Sequence, residues 1–380
     1  MARPALAVVT LLLLTACGDS GSSSTSGGGG GGASSSTGGG ATTGSGGSGA
    51  SGSGGGGVGG SGAGGEAPVA DVHLVGRFDS TQTSSWSGSA IRTRVSGGPV
   101  DITLDAPAGL FFEVEVDGAS QGIFTTTAGE QSYPVANAPS GAYDLLVFRR
   151  VEGFFGNARF VGISPAASLV PTAWPYDHRI EYIGDSISCG YGALGPNESC
   201  NFSADTESAY VSYATVAARA VNAAPHIIAY SGKGVFQNYG GNKDELMPEL
   251  YLRTLTNDAG STWGFDDPDP DVVVINLGTN DFSATIAEND FVSAYVGLLT
   301  TVRQHRPNAT IYTVRWEGWG STHMSWVSSA VAQFGDADVH ETDFSIDPND
   351  GWGCDYHPSE ATHAKLGAQL AATLKSDLGW

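Results

Sequence analysis

Arg179-Ile180-Glu181-Tyr182-Ile183-Gly184-Asp185-Ser186 is a short stretch with apolar residues at 180, 182 and 183 that ends in a glycine, an acid and a serine. Bounded by a turn residue, residues 179–183 read as a strand, which delivers Gly184-Asp185-Ser186 at its carboxyl end. The pattern then repeats downstream. Residues 208–221 are Ala-rich and predicted helical, and residues 226–230 form a strand of buried type. Residues 271–277, with Val272-Val273-Val274-Ile275, form the clearest strand of all. Residues 288–305 are predicted helical, 311–316 a strand and 323–334 a helix. A last helix over 359–378 has Ser359 as N-cap. Strands alternating with helices predict an α/β domain, a parallel sheet covered by helices on both faces. Ligand sites in such sheets lie outside the carboxyl ends of the strands. Ser186, Gly232 and Asn280 all fall at such ends.

Upstream the period is different. Residues 73–78, 100–104, 111–116, 143–148 and 158–163 are short alternating runs, and Asp117-Gly118 is one of the turns between them. Short strands separated by turn residues predict an all-β sandwich. Pro165, Pro171 and Pro175 mark the change of period, which divides the folded part into 67–170 and 171–380.

The first 66 residues read differently again. Arg3 precedes the apolar residues 6–14, and Leu14-Thr15-Ala16-Cys17 follows. The apolar run is too short for a mature membrane span and reads as a signal peptide. A cysteine at the cleavage point is similar to a bacterial lipobox, which implies a lipid on Cys17. Residues 18–66 are almost wholly Gly, Ser, Thr and Ala, too poor in apolar surface to fold. As a flexible tether they have a mean reach of roughly 40 Å. The expectation is an exported, envelope-anchored protein whose only membrane contact is its lipid.

The net charge is −22, and of its ionisable side chains only Arg3, Asp19 and Glu66 precede residue 67. So acidic a body is a poor partner for nucleic acid or for anionic membranes. A neutral polysaccharide is compatible with it. Three cysteines remain after Cys17, and an exported chain can oxidise them. A Cys189–Cys354 bridge would clamp Ser186 to His357, and a Cys189–Cys200 bridge would close a short loop. No Cys/His spacing has the form of a zinc site, and no metal or cofactor is expected.

A serine hydroxyl needs a base, and His357, in Asp355-Tyr356-His357-Pro358, is the best candidate. A tetrahedral intermediate needs donors for its oxyanion. The Ser186 N–H, the Gly232 N–H (or that of Gly234) and the Asn280 amide fit that need. Asp185 and Asp281 suit hydrogen-bonded turns. Tyr191, Trp352 and Tyr356 flank the proposed nucleophile and base and suit stacking on sugar rings. Trp316 and Trp319 read as packing, and His226 and His363 as structural.

Taken together, Gly184-Asp185-Ser186, Ser231-Gly232-Lys233-Gly234, Gly278-Thr279-Asn280-Asp281 and His357 resemble the four blocks of the SGNH (GDSL-like) hydrolases. That superfamily places its acid three residues before the histidine. Here that position is Cys354, and Asp355 stands two before. Either the Asp355 side chain or its backbone carbonyl then orients His357. Residues 183–192, Ser231 to Val235, Leu277 to Phe282 and Gly353 to Pro358 resemble carbohydrate esterase family 2. So do Arg77-Phe78-Asp79, Trp86 to Ala90 and Phe154-Phe155-Gly156, so the resemblance covers nearly all of 72–380. It implies an N-terminal jelly-roll domain and a C-terminal SGNH-type three-layer α/β/α domain. It also implies a metal-independent acetylesterase acting on plant polysaccharide or oligosaccharide of xylan or glucomannan type, preferring 6-O-acetyl groups. Tyr356 takes the place of the family's sugar-binding aromatic residue. The protein is expected to be a monomer. Two other functions are open: an O-acetylesterase of bacterial surface polymer or general short-chain esterase, and a surface lipoprotein that binds carbohydrate without turnover.

Overall fold

The computed structural model describes residues 69–380. The expected signal peptide, the lipid site at Cys17 and the whole tether lie outside the described residues.

Ten strands build the N-terminal sandwich. They are β1 His73–Val75, β2 Thr83–Ser84, β3 Ala90–Val95, β4 Asp101–Ala106, β5 Phe111–Val116, β6 Ala119–Thr125, β7 Gly129–Pro134, β8 Tyr143–Arg149, β9 Ala158–Ser164 and β10 Leu169–Val170. One antiparallel sheet has the order β1-β3-β8-β5-β6, with β10 also on β3; the other has the order β2-β9-β4-β7. Period-two alternation explains the core. Ile102, Leu104 and Phe160 of one sheet face Val114, Leu145 and Val147 of the other, all buried. Sequence reading missed β6 and β7 because both are almost wholly exposed and carry no apolar alternation. It missed β3 because Arg92 and Arg94 interrupt the apolar pattern. The strand expected over 73–78 stops at Val75, since Gly76 turns the chain with φ +98°. An isolated bridge between Ala70 and Thr172 keeps the chain on the sandwich to residue 172.

The C-terminal domain has a five-stranded parallel sheet. Its strands are β11 His178–Gly184, β12 Ala223–Ala229, β13 Val272–Asn276, β14 Thr310–Trp316 and β15 Val339–Phe344, in the order β12-β11-β13-β14-β15. The helices are α1 Ser186–Cys189, α2 Tyr213–Ala220, α3 Met247–Leu250, α4 Glu288–His305, α5 Gly320–Phe334 and α6 Glu360–Leu378. Alternate residues of the sheet serve opposite faces. Ile180, Tyr182, Val272 and Val274 pack with α2 and α6. Ile183, Val273, Ile275 and Ile311 pack with α3, α4 and α5. Burial on both faces explains the continuous apolar runs of β12 and β13. β15 lies at the sheet edge and is polar, which hid it from sequence reading. The helix expected over 208–221 begins only at Tyr213. The Ser208 and Ala209 amides are instead paired to Gly190 O and Arg150 O.

The two domains share a polar seam. Arg77 of the sandwich donates to the backbone of Tyr251 and Arg253 and lies 3.6 Å from Glu181 on β11. Arg306 reaches the same Glu181 at 2.9 Å. Two cations hold the Glu181 carboxyl below its ordinary range despite the opposing cost of burial. Trp86 Nε1 donates to Thr254 O at 2.9 Å, and Ser85 Oγ accepts from Thr256 N at 2.7 Å. The sandwich therefore grips the segment that follows α3.

Candidate active site

β11 carries the chain to Gly184, and Asp185 caps α1 with Oδ1 accepting from Ile187 N at 3.1 Å. Ser186 opens that helix, where an N–H has no intrahelical acceptor. Gly190, at φ +72°, ends the helix, and a Cβ there would lie 2.2 Å from Ser208 O. Sequence and sheet thus leave Ser186 at the mouth of the parallel sheet, 6% exposed.

His357 arrives from the other side. Its Nε2 lies 2.8 Å from Ser186 Oγ, and its Nδ1 lies 3.0 Å from Asp355 O. Because a carbonyl only accepts, Nδ1 carries the proton and Nε2 is free to take the serine's. Of the two ways left open for Asp355, the structure has the backbone one. The Asp355 side chain turns away, and its Oδ2 accepts from Tyr191 Oη and Phe202 N, both at 3.1 Å. Asp355 and Tyr356 have φ of +52° and +58°. This left-handed pair swings the carbonyl back onto the imidazole. Burial holds the His357 pKa below its usual value, against the opposing pull of the Asp355 carbonyl.

The cysteine expectations are corrected here. Cys354 bonds to Cys200, and Cys189 is free and fully buried in α1. Both expected pairs used Cys189, but its position inside the short helix takes it into the core. The bridge ties the His357 turn to the loop bearing Phe202. Cys354 N to Gly192 O at 2.9 Å and Asp355 N to Cys200 O at 3.1 Å add backbone links on each side of the turn.

Gly232 lies beyond β12 with φ +78°, and a Cβ there would meet nothing within 4 Å. Its conformation, not lack of space, calls for glycine. Asn280 lies at the same mouth, and its Nδ2 donates to Lys233 O at 2.8 Å and to Asp185 Oδ2 at 3.2 Å. The amide therefore straps the nucleophile's turn to the Gly232 loop. Burial raises the Asp185 carboxyl to about 7. Asp281 accepts from the amides of Val235, Phe236 and Gln237 and so fixes the rest of that loop. Gly234 is used otherwise, its N–H donating to Asn238 Oδ1 at 3.1 Å.

Aromatic side chains wall the histidine. Tyr191 lies 4.3 Å from the His357 ring and stacks on Phe202 at 3.8 Å. Phe202 in turn meets Phe154 of the sandwich at 6.1 Å, and Phe154 meets Tyr230 at the same separation. Tyr356 is 56% exposed, free to meet a ligand. Trp352 is half-buried and bridged through its backbone to Pro358. Trp316 is buried, with Nε1 donating to Asn276 Oδ1 at 2.7 Å, and Trp319 donates to Thr279 Oγ1 at 3.2 Å. His226 is buried, its pKa lowered to about 4 by that burial. His363 Nδ1 accepts from Tyr213 N at 3.1 Å inside the helical layer. Sequence reading gave no role to Phe202, Glu152 or Ser231. Phe202 had no motif to mark it, and Glu152 comes from the other domain.

The profile of the GDSL-like Lipase/Acylhydrolase family matches residues 182–365, and that of the carbohydrate esterase 2 N-terminal domain matches residues 74–173. The chain is 35% identical over 320 residues to the cellulase/esterase CelE of Acetivibrio thermocellus, which covers 80% of this chain and 39% of that protein. It is 28% identical to an acetylxylan esterase/glucomannan deacetylase of Cellvibrio japonicus, over 77% of this chain and 84% of that one. Among solved structures it is similar to a family two carbohydrate esterase from Clostridium thermocellum in complex with cellohexaose. The TM-score is 0.77 and the identity 34%, over 81% of this chain and 99% of that one. A family 2 enzyme from Corynascus thermopiles aligns with TM-score 0.74 at 30% identity, over 81% of this chain and all of that one.

Proposed function

The chain belongs to carbohydrate esterase family 2, a family of carboxylic ester hydrolases, and on that premise we propose that it is a serine acetylesterase. The observation that carries this reading is the relay Ser186 Oγ, His357 Nε2, His357 Nδ1, Asp355 O, with contacts of 2.8 and 3.0 Å. His357 removes the hydroxyl proton as Ser186 attacks the acetyl carbonyl. The oxyanion takes the N–H of Ser186, the N–H of Gly232 and one Asn280 hydrogen, released from its longer bond to Asp185. His357 then returns the proton to the departing sugar oxygen. Water, activated by the same imidazole, frees acetate from the acetyl-enzyme. Every proton step uses His357, so no metal is required by this scheme.

The substrate we propose is O-acetylated polysaccharide or oligosaccharide of xylan or glucomannan type, deacetylated at 6-O. Support comes from the activities named for the Cellvibrio relatives, from the exposed Tyr356 that directly precedes His357, and from Tyr191 against the His357 ring. Export as a Cys17-anchored envelope lipoprotein is proposed from sequence alone.

Acetate release from acetylated glucomannan and xylan, by the protein and by Ser186→Ala, tests the reading. Release lost in the variant is expected, with NMR of the residual polymer showing which position is cleared. Release from acetylated peptidoglycan alone would move the substrate to bacterial surface polymer. Polysaccharide binding without turnover, unchanged by Ser186→Ala, would overturn the enzyme reading.

A further inference from the structure

The strongest unexplained feature lies behind the nucleophile. Glu152, Cys189 and Glu207 are all fully buried, and their ligand-type atoms lie within 4.8 Å of one another. Glu152 belongs to the sandwich, just after β8, whereas Glu207 and Cys189 belong to the α/β domain. Two carboxyl groups in such a place cannot both ionise; they share a proton.

The hydrogen bonds say which acid holds the charge. Glu152 Oε2 accepts from Ser231 N at 2.7 Å, and its Oε1 accepts from Ser231 Oγ. Both of its oxygens thus face donors, as a carboxylate's should. Neither Glu207 oxygen meets a hydrogen-bond donor among the described residues. Burial, then the adjacent Glu152 charge, holds Glu207 protonated well above the carboxylate range. Arg149 supplies the balancing cation. Its guanidinium is fixed by the carbonyls of Val151 at 2.7 Å, Glu152 at 3.0 Å and Gly156 at 2.6 Å.

Ser231 is the residue before Gly232. We propose that Glu152 is a positioning residue for the oxyanion site, fixing the Ser231-Gly232 turn from the sandwich domain, with Glu207 as its neutral buried neighbour. The sandwich is then part of the catalytic apparatus without touching substrate at this point. The inference rests on the acetylesterase reading, because it assigns a purpose to the Gly232 N–H. An oxyanion donor acts on charge that develops only in the transition state. Loosening it should lower kcat and leave KM nearly alone.

The two acids provide a paired test on the full protein with 4-nitrophenyl acetate. In Glu152→Gln the charge is lost and one oxygen becomes an NH2 group, which cannot accept from the Ser231 N–H and can meet the Ser231 hydroxyl only as a donor. A fall in kcat of about 30- to 100-fold is expected, with KM within about twofold. In Glu207→Gln the amide can donate as the protonated acid does, and kcat should stay within about threefold. A folded Glu152→Gln protein with parental kcat would overturn the proposal, as would a Glu207→Gln protein damaged equally. Should Glu152→Gln not fold, Ser231→Ala takes its place. It is expected to lose about tenfold in kcat, and parental kcat there overturns the proposal. Ser186→Ala separates the two levels. A parent enzyme without Ser186-dependent turnover would defeat the acetylesterase reading itself, and the inference with it.

Discussion

Ser186 and His357 meet in one hydrogen bond but are supported in different ways. Ser186 stands at the end of β11, which is paired on both sides by β12 and β13 and buried between two helical layers. His357 hangs from a short turn between β15 and α6, outside any sheet. The turn is held by one disulfide, a few backbone hydrogen bonds and two residues in left-handed conformation. The nucleophile's place follows from the core, and disturbing it means disturbing the fold. The base's place follows from local ties that can be cut one at a time. Activity and stability should therefore separate on the histidine side.

The largest effect removes the chemistry itself. Ser186→Ala and His357→Ala are each expected to lower kcat by about 10⁴-fold or more, with thermal midpoints close to the parent's. Equal losses would mark a unit in which neither group works alone. A His357→Ala protein within about tenfold of the parent would break the pairing of Ser186 with this histidine.

Cutting the disulfide comes next. The bridge joins residues 154 positions apart, so loop entropy alone allows up to about 5 kcal/mol of stabilisation. Cys200→Ser with Cys354→Ser should lower the unfolding midpoint in denaturant and reduce kcat by about tenfold, as the His357 turn loosens. Cys189→Ala should leave the bridge intact, and counting free thiols under denaturing conditions checks that assignment. Unchanged kcat in the bridge variant would show that the backbone links to Gly192 and Cys200 suffice.

The same contrast explains what the sequence could and could not disclose. β11, β12 and β13 are apolar on both faces, so their runs announce strands and place Ser186, Gly232 and Asn280 at their ends. The local ties had no such signal. Cys200, rather than Cys189, meets Cys354 because α1 turns Cys189 inward, which spacing does not reveal. Asp355 and Tyr356 adopt positive φ without a glycine to mark it. Glu152 meets Ser231 across 79 positions and a domain boundary, beyond any local pattern. β6, β7 and β15 are polar and exposed or at an edge, so the sandwich and the sheet were foreseeable only in their buried parts.

pH acts on His357 and His363 with different outcomes. Burial lowers the His357 pKa below 6.5, so the neutral base persists through neutral pH. kcat/KM should be flat near pH 7 and fall on an acid limb whose midpoint lies below 6.5, approaching tenfold per unit. His363 is buried, its pKa lowered to about 3. An unfolded chain takes up that proton near pH 6.5, whereas the folded one resists to about 3. The stability it contributes is thus present above pH 6.5 and is lost as pH falls from there toward 3. Denaturant midpoints measured from pH 7 to 4 should decline, and His363→Gln should flatten that decline. An activity limb centred above 6.5 would contradict the partly buried environment of His357.

The smallest effect is the sharpest test of how the base is oriented. In a triad whose acid contacts the histidine through its side chain, replacing that acid by its amide costs about 10⁴-fold. Here the partner of Nδ1 is the Asp355 carbonyl, which Asp355→Asn retains. Asparagine also tolerates the left-handed conformation at this position. What changes is the acceptor shared by Tyr191 Oη and Phe202 N. The amide oxygen of asparagine can still serve both, though without the charge. kcat should fall by no more than about fivefold, and the acid limb should barely move. Asp355→Ala loses both contacts and strains the turn, so it should fall further while remaining well above the 10⁴-fold loss. A collapse in Asp355→Asn would return the carboxylate to the histidine. It would also mean that the left-handed pair at 355–356 has another purpose than turning a carbonyl toward the base.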